Sequence, residues 1–170
     1  MIKFIAGYIW HCVQTTIHKY WVFHYTIKFC VKKKNFKGKV SLIFRSLSHD
    51  LSKYRWSEAK SFAKVIFKLR GQTYGSDIYR ESLRSIKPSV ILHYKRNSHH
   101  PEYWAELESG RDGFSKMGPY EKIEMIIDWR AATRRHSDGC IFKSLDINQE
   151  RFGYSDEEKE YLTTIAKLIY

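Results

Sequence analysis

His49 and Asp50 stand side by side at the end of an apolar run, Val40 to Ser48, and at the start of a long helical pattern. A hard or borderline divalent ion takes neutral imidazole nitrogens and carboxylate oxygens, and a catalytic site leaves positions open for water. His18 upstream and Asp128 downstream complete such a set from three separate helical segments. Without them the His-Asp dipeptide would read as an ordinary surface pair. Neighbouring helix residues are rotated by about 100°, so His49 and Asp50 can serve one ion only where a helix end points its axis at it. A second cluster, His93 with Asn97, His99 and His100, is expected on the same cavity, with His93 and Asn97 sharing a helix face at four-residue spacing. His11 and His24, each alone in an apolar helix, read as packed histidines.

The elements that must position these residues are helical. From Ile2 to Val31 there is no Pro and only Gly7, and the apolar spacing suits one or two amphipathic helices with His11, His18 and Tyr25 on one face. Lys32-Lys33-Lys34, Asn35 and Gly38 end that pattern as a basic connection. Val40 to Ser48 fits strand or helix. A helix follows from about Glu58 to Arg70, with Ser57 expected as its cap. Gly71 to Asp77 reads as a loop over the site, and Pro88 as the first turn of a helix over Ser89 to Lys95. Pro101 starts a short helix, Glu108 to Gly118 is a polar connection, and Pro119 opens a helix from Tyr120 to about Arg135 that carries Asp128. A weakly patterned stretch leads to a capping box at Ser155-Asp156-Glu157-Glu158 and a final helix. With no convincing strand, an all-α bundle is expected, a single domain over residues 1–170.

Composition bounds the class. The chain of 170 residues is 43% hydrophobic and 28% charged, which excludes disorder and an integral membrane protein. The N-terminal apolar stretch is broken by His11, Gln14, His18 and Lys19 too early for a span, so no membrane crossing is expected. Cys12, Cys30 and Cys140 form no metal or disulfide framework, and a reducing, cytoplasmic setting in a bacterium or phage-infected host is the expectation. Residues 1–100 hold 20 Lys/Arg against 4 Asp/Glu, and residues 101–170 hold 10 against 14. Such a basic half favours a polyanionic partner: a nucleotide, nucleic acid or an acidic lipid surface.

The ordered set resembles the HD-domain superfamily of metal-dependent phosphohydrolases: a lone His, an adjacent His-Asp, then a distant Asp on a helical bundle. More narrowly, His18-Lys19 with Val22, the His49-to-Lys53 string, Asn97-x-His99-His100-Pro101-Glu102-Tyr103-Trp104 and Glu124-Met125-x-x-Asp128-Trp129 look like an uncharacterised HD-like family of phages and bacteria. The resemblance covers about residues 15–135. It implies an HD-like bundle in which His18, His49, Asp50 and Asp128 bind a divalent ion (Mn, Fe, Co, Ni, Zn or Mg), with Asp50 and Lys53 catalytic. It makes His93, Asn97, His99 and His100 candidates for a second metal or for phosphate. The activity implied is hydrolysis of a small phosphate ester, foremost a nucleotide, by a metal-activated water, with Lys95, Arg96 and Arg130 as phosphate contacts. The alternative is a noncatalytic HD-like protein that holds nucleic acid or a host factor.

Overall fold

The computed structural model describes the chain except residues 71, 74, 75, 107–109 and 137. Among the described residues there are helices and no strand, so the protein is all-α. A single uninterrupted helix, α1 (Ile2–Lys32), forms where one or two were expected. It packs against α2 (Lys39–Ser48), α3 (Trp56–Leu69), α7 (Pro119–Thr133) and α9 (Asp156–Ile169), and so runs through the whole bundle. Gly7 lets α1 approach α3 closely, because a Cβ there would collide with the Ala63 carbonyl oxygen.

Residues 40–48 settle as helix, since tertiary packing of Leu42 and Ser46 decides what periodicity alone leaves open. A 3-10 turn, Leu51–Tyr54, links α2 to α3. Helices α4 (Asp77–Ser85), α5 (Lys87–Tyr94) and α6 (Pro101–Trp104) follow, the last two with Pro in their first turns as expected. Helix α7 is buried nearly all round, with Ile123, Met125, Ile126, Ile127 and Ala131 in the core. There it meets Val22 and Phe29 of α1 and Leu162, Ile165 and Ile169 of α9. Each such fully buried side chain contributes roughly 1.5–3 kcal/mol, which makes the α1–α7–α9 contact the rigid frame of the molecule. The Ser155 capping box is present, with the Ser155 hydroxyl and the Glu158 carboxylate each satisfying the other's backbone N–H.

Three local readings need correction or completion. Ser57 does not cap α3, which starts one residue earlier at Trp56; Ser57 Oγ instead accepts from Arg96. The weakly patterned stretch is α8 (Ile141–Phe152), whose inner face of Ile141, Leu145, Asn148 and Phe152 includes a polar residue that breaks the apolar stripe. Helix α4 lies where no element was expected, capped by the Ser76 hydroxyl. Residues 71, 74 and 75 of the expected loop, and Glu108 and Ser109 of the expected connection, lie outside the described residues.

Candidate metal centre

Five segments bring the donors together. The inner face of α1 repeats every three or four residues and buries His11, Thr15, His18 and Val22. Helix α2 stops at Ser48, His49 takes extended dihedrals, and Asp50 turns left-handed at φ 55 and ψ 18. Asp50 is the one non-glycine residue of positive φ among the described residues, a conformation that Asp tolerates better than most. This break answers the 100° problem: both side chains enter the interior from a helix end, His49 at 2% and Asp50 at 1% exposure. Helix α7 supplies Glu124 and Asp128 one turn apart on one face. His93 comes from the end of α5, and His99 and His100 from the turn before α6.

Asp50 lies between two groups of donors. Its Oδ2 is 3.9 Å from His18 Nε2 and 3.6 Å from His49 Nε2, while its Oδ1 is 3.4 Å from His93 Nε2 and 3.5 Å from His99 Nε2. Asp128 Oδ1 is 2.8 Å from His18 Nε2 and 3.4 Å from His49 Nε2. His93 Nε2 and His100 Nε2 are 3.0 Å apart. Thus His18, His49, Asp50 and Asp128 form one group and Asp50, His93, His99 and His100 a second, the candidate ligand atoms of each lying within 4.8 Å of one another. Either group could hold a metal ion.

Carboxylates behind the histidines fix which nitrogen faces the centre. Glu124 Oε1 accepts from His49 Nδ1 at 3.0 Å and lies 3.4 Å from His99 Nδ1. Its other oxygen takes Arg45 Nε at 2.7 Å, and Arg45 also reaches Glu121 and Ser98. Glu58 Oε2 accepts from His93 Nδ1 at 3.1 Å and from Ser52 Oγ at 2.9 Å, with Arg96 on Oε1 at 2.7 Å. Carboxylates that take the Nδ1 proton leave Nε2 as the donor for an ion, the arrangement usual behind metal-bound histidine. His49, His99 and Glu124 are also close enough to be grouped as a metal site; with Arg45 clamped on Glu124, we read that carboxylate as their brace.

Unpaired buried atoms test the fit of an ion. His49 Nε2, His99 Nε2 and Asp50 Oδ1 are buried without a hydrogen-bond partner among the described residues. Each such atom costs roughly 1–3 kcal/mol when left unsatisfied, and all three belong to residues of the two groups, His49 Nε2 lying 3.6 Å from Asp50 Oδ2 and His99 Nε2 3.5 Å from Asp50 Oδ1. The donor set of imidazole and carboxylate suits a divalent ion.

The electrostatics are those of a site made for cations. Burial, and then the Arg135 guanidinium, push the His18 imidazole down to about 3 despite Asp128. Burial likewise lowers His93, and lowers His100 far more. Burial works against a charged His49 too, but Asp50, Asp128 and Glu124 outweigh it and raise it to about 10. Against the same burial, Lys53 and the surrounding histidines hold the Asp50 carboxyl well below its usual range, as His18 and His49 do for Asp128. Without an ion, the neighbouring charges favour ionised Asp50 and Asp128 and a protonated His49.

Lys53 Nζ lies 2.5 Å from Asp50 Oδ2, which places it at the site. Asn97 belongs to neither donor group: its amide donates to the His93 carbonyl at 2.7 Å and to Ser52 Oγ at 2.8 Å, and so braces His93 from behind. A cavity of about 1290 Å³ opens onto the centre, with His18, His93, His100, Asp128 and Lys53 in its wall. Lys95 lines it. Arg96 is tied to Glu58, and Arg130 lies over the Tyr25 and Tyr170 rings outside the cavity wall. Arg84 and Arg135 line the cavity in their place, although no motif singles them out. Glu58 and Glu124 also escape motif reasoning as braces; the four-residue step from Glu124 to Asp128 was the available signal.

An all-α fold around a buried His/Asp/Glu centre that could hold a metal ion is the class these observations define. The model of a family of unknown function, DUF5662, matches residues 9–170, and the chain belongs to that family. The match contains every donor named above and continues through α8 and α9, past the 15–135 span of the HD-like resemblance. No curated protein and no solved structure matches the chain significantly.

Proposed function

We propose that the protein is a metal-dependent phosphohydrolase of the HD-domain type, acting on a nucleotide or another small phosphate ester. The observation that supports this is the pair of donor groups sharing Asp50, three of whose buried donor atoms are left without a hydrogen-bond partner. His18, His49 and Asp128 hold an ion on one side of Asp50, and His93, His99 and His100 hold one on the other. The mixture of imidazole and carboxylate favours Mn, Fe, Co, Ni or Zn over Mg. A divalent ion so held supplies Lewis acidity toward a phosphoryl oxygen and acidifies water to near neutral pH. Lys53 sets a positive charge at the same carboxylate, on the cavity side where the phosphate enters. Lys95, Arg84 and Arg135 raise the local concentration of an anionic substrate in the cavity.

Purified protein is expected to carry divalent metal by elemental analysis and to cleave members of a panel of nucleotides and generic phosphoesters when loaded with Mn²⁺ or Co²⁺. Asp50→Asn removes the shared charge while Asn still accepts the left-handed backbone, so metal and turnover should both fall to background with helical circular dichroism unchanged. Full metal occupancy with no turnover across the panel would sink the hydrolase reading and leave a noncatalytic binding protein.

A further inference from the structure

Helix α1 is apolar on the side facing away from the protein as well as on the side facing in. Ile2, Ile5, Ile9, Val13, Ile17 and Tyr20 are between 42% and 82% exposed. At about 100° per residue they cluster opposite His11, Thr15, His18 and Val22. No Asp, Glu, Lys or Arg occurs between Lys3 and Lys19 to interrupt this outer stripe. The stripe spans Ile2 to Tyr20, about 28 Å of the helix; beyond it His24, read from the sequence as packed, is exposed, and Val31 is exposed at the helix end. Helix α2 repeats the device, with Val40, Phe44 and Leu47 exposed opposite its buried Leu42 and Ser46. Exposed apolar surface on this scale marks an interaction site rather than ordinary solvent-facing surface.

Between the two stripes lies the most basic stretch of the chain. Lys32, Lys33, Lys34 and Lys37 are exposed, Lys39 is partly so, and none has an ion-pair partner among the described residues. Val31 and Val40, each 68% exposed, flank this turn directly. Apolar side chains bordered by lysines match the interface of an anionic bilayer, where the former enter the acyl boundary and the latter meet the headgroups.

A second copy of the chain fits less well. Each copy carries a net charge of +12, so self-association through this face would bring two basic turns and their like charges together. The outer stripe also advances by three or four residues and averages roughly 3.6, which keeps it straight along the helix. A coiled-coil seam follows a repeat of about 3.5, and two straight helices that cross touch over only a few turns. A flat layer covers the whole stripe. Among the described residues no helix is long and apolar enough to cross a membrane, and the proposed contact is one of lying on the surface.

We propose that the outer faces of α1 and α2, with the Lys32–Lys39 turn, dock the protein onto an anionic lipid surface. The proposal is independent of the metal centre and its chemistry. The test is co-sedimentation of the full chain with vesicles of phosphatidylcholine alone and of phosphatidylcholine containing phosphatidylglycerol. Binding is expected only to the second kind, weakened by salt. The double variant Ile9→Glu/Ile17→Glu and the triple variant Lys32→Glu/Lys33→Glu/Lys34→Glu should each lose about tenfold or more in affinity. All the altered side chains are exposed, and circular dichroism verifies that the helices persist. Binding to neither vesicle, equal binding to both, or unchanged binding by the variants would overturn the proposal. So would a lipid-free dimer by light scattering that Ile9→Glu/Ile17→Glu splits, which would assign the face to a second copy.

Discussion

At the scale of single residues, Glu124 decides how well the centre is prepared for an ion. One of its oxygens sits against the Nδ1 atoms of His49 and His99, and Arg45 holds the other, so three side chains share one brace. Replacing Glu124 with Gln keeps the shape but gives up the charge and one acceptor oxygen. Metal affinity should fall about 10–100-fold, read by competition with a chromophoric chelator, while the helical signal stays unchanged; an unaltered affinity would show that the brace is dispensable. The donor atoms themselves were legible in the sequence, because the His-Asp pair, the lone His and the distant Asp are distinctive in type and order. Glu58 was not, since a carboxylate at the start of a helix looks like a dipole-stabilising residue until His93 is seen beside it.

At the scale of elements, the frame depends on how closely α1 can lie against α3. Gly7→Ala places a methyl group against the Ala63 carbonyl, and backbone on both sides leaves no flexible side chain to yield. A loss of about 1–3 kcal/mol is expected, seen as a lower Tm by about 2–12 °C for a chain of this length. An unchanged Tm would mean that the two helices can separate at no cost. Long elements with regular apolar spacing, α1, α7 and α9, were readable because one face of each meets the core at every turn. Helix α8 was not, because Asn148 occupies a core-facing position and satisfies itself by donating to the Ser144 carbonyl. Helix α4 is only nine residues long and its one buried residue is a serine, Ser82, so Ile78, Tyr79 and Leu83 make too short an apolar face to stand out in the sequence. The left-handed turn at Asp50 was equally hidden: a sequence can place a helix end there but not the dihedral that swings both donors inward.

At the scale of the whole molecule, the centre governs how stability depends on pH. His18, His93 and His100 lie below their ordinary value of 6.5 in the fold, so below that pH the unfolded chain binds more protons and stability falls, down to about 3 for His18. His49 acts in the opposite sense. Its stabilisation is fully present below 6.5 and is lost as pH rises through about 10. Asp50 and Asp128 add a further loss in acid, below their ordinary 3.8. Ion-free protein should therefore be most stable near pH 6.5, with slopes of up to about 1.4 kcal/mol per pH unit for each proton involved. An added divalent ion must displace the His49 proton, so the rise in Tm that it brings should grow with pH. Thermal melts from pH 5 to 9, with and without Mn²⁺, decide this; curves flat in pH would contradict it.

Helix α1 also separates two sets of side chains that no position shares. Residues 11, 15, 18 and 22 look inward, and residues 5, 9, 13 and 17 look outward. In genetic terms these are two characters interleaved in one short stretch of gene, each open to change without disturbing the other. A lineage could lose the outer face and keep the inner one, or the reverse, by substitutions only one or two codons apart.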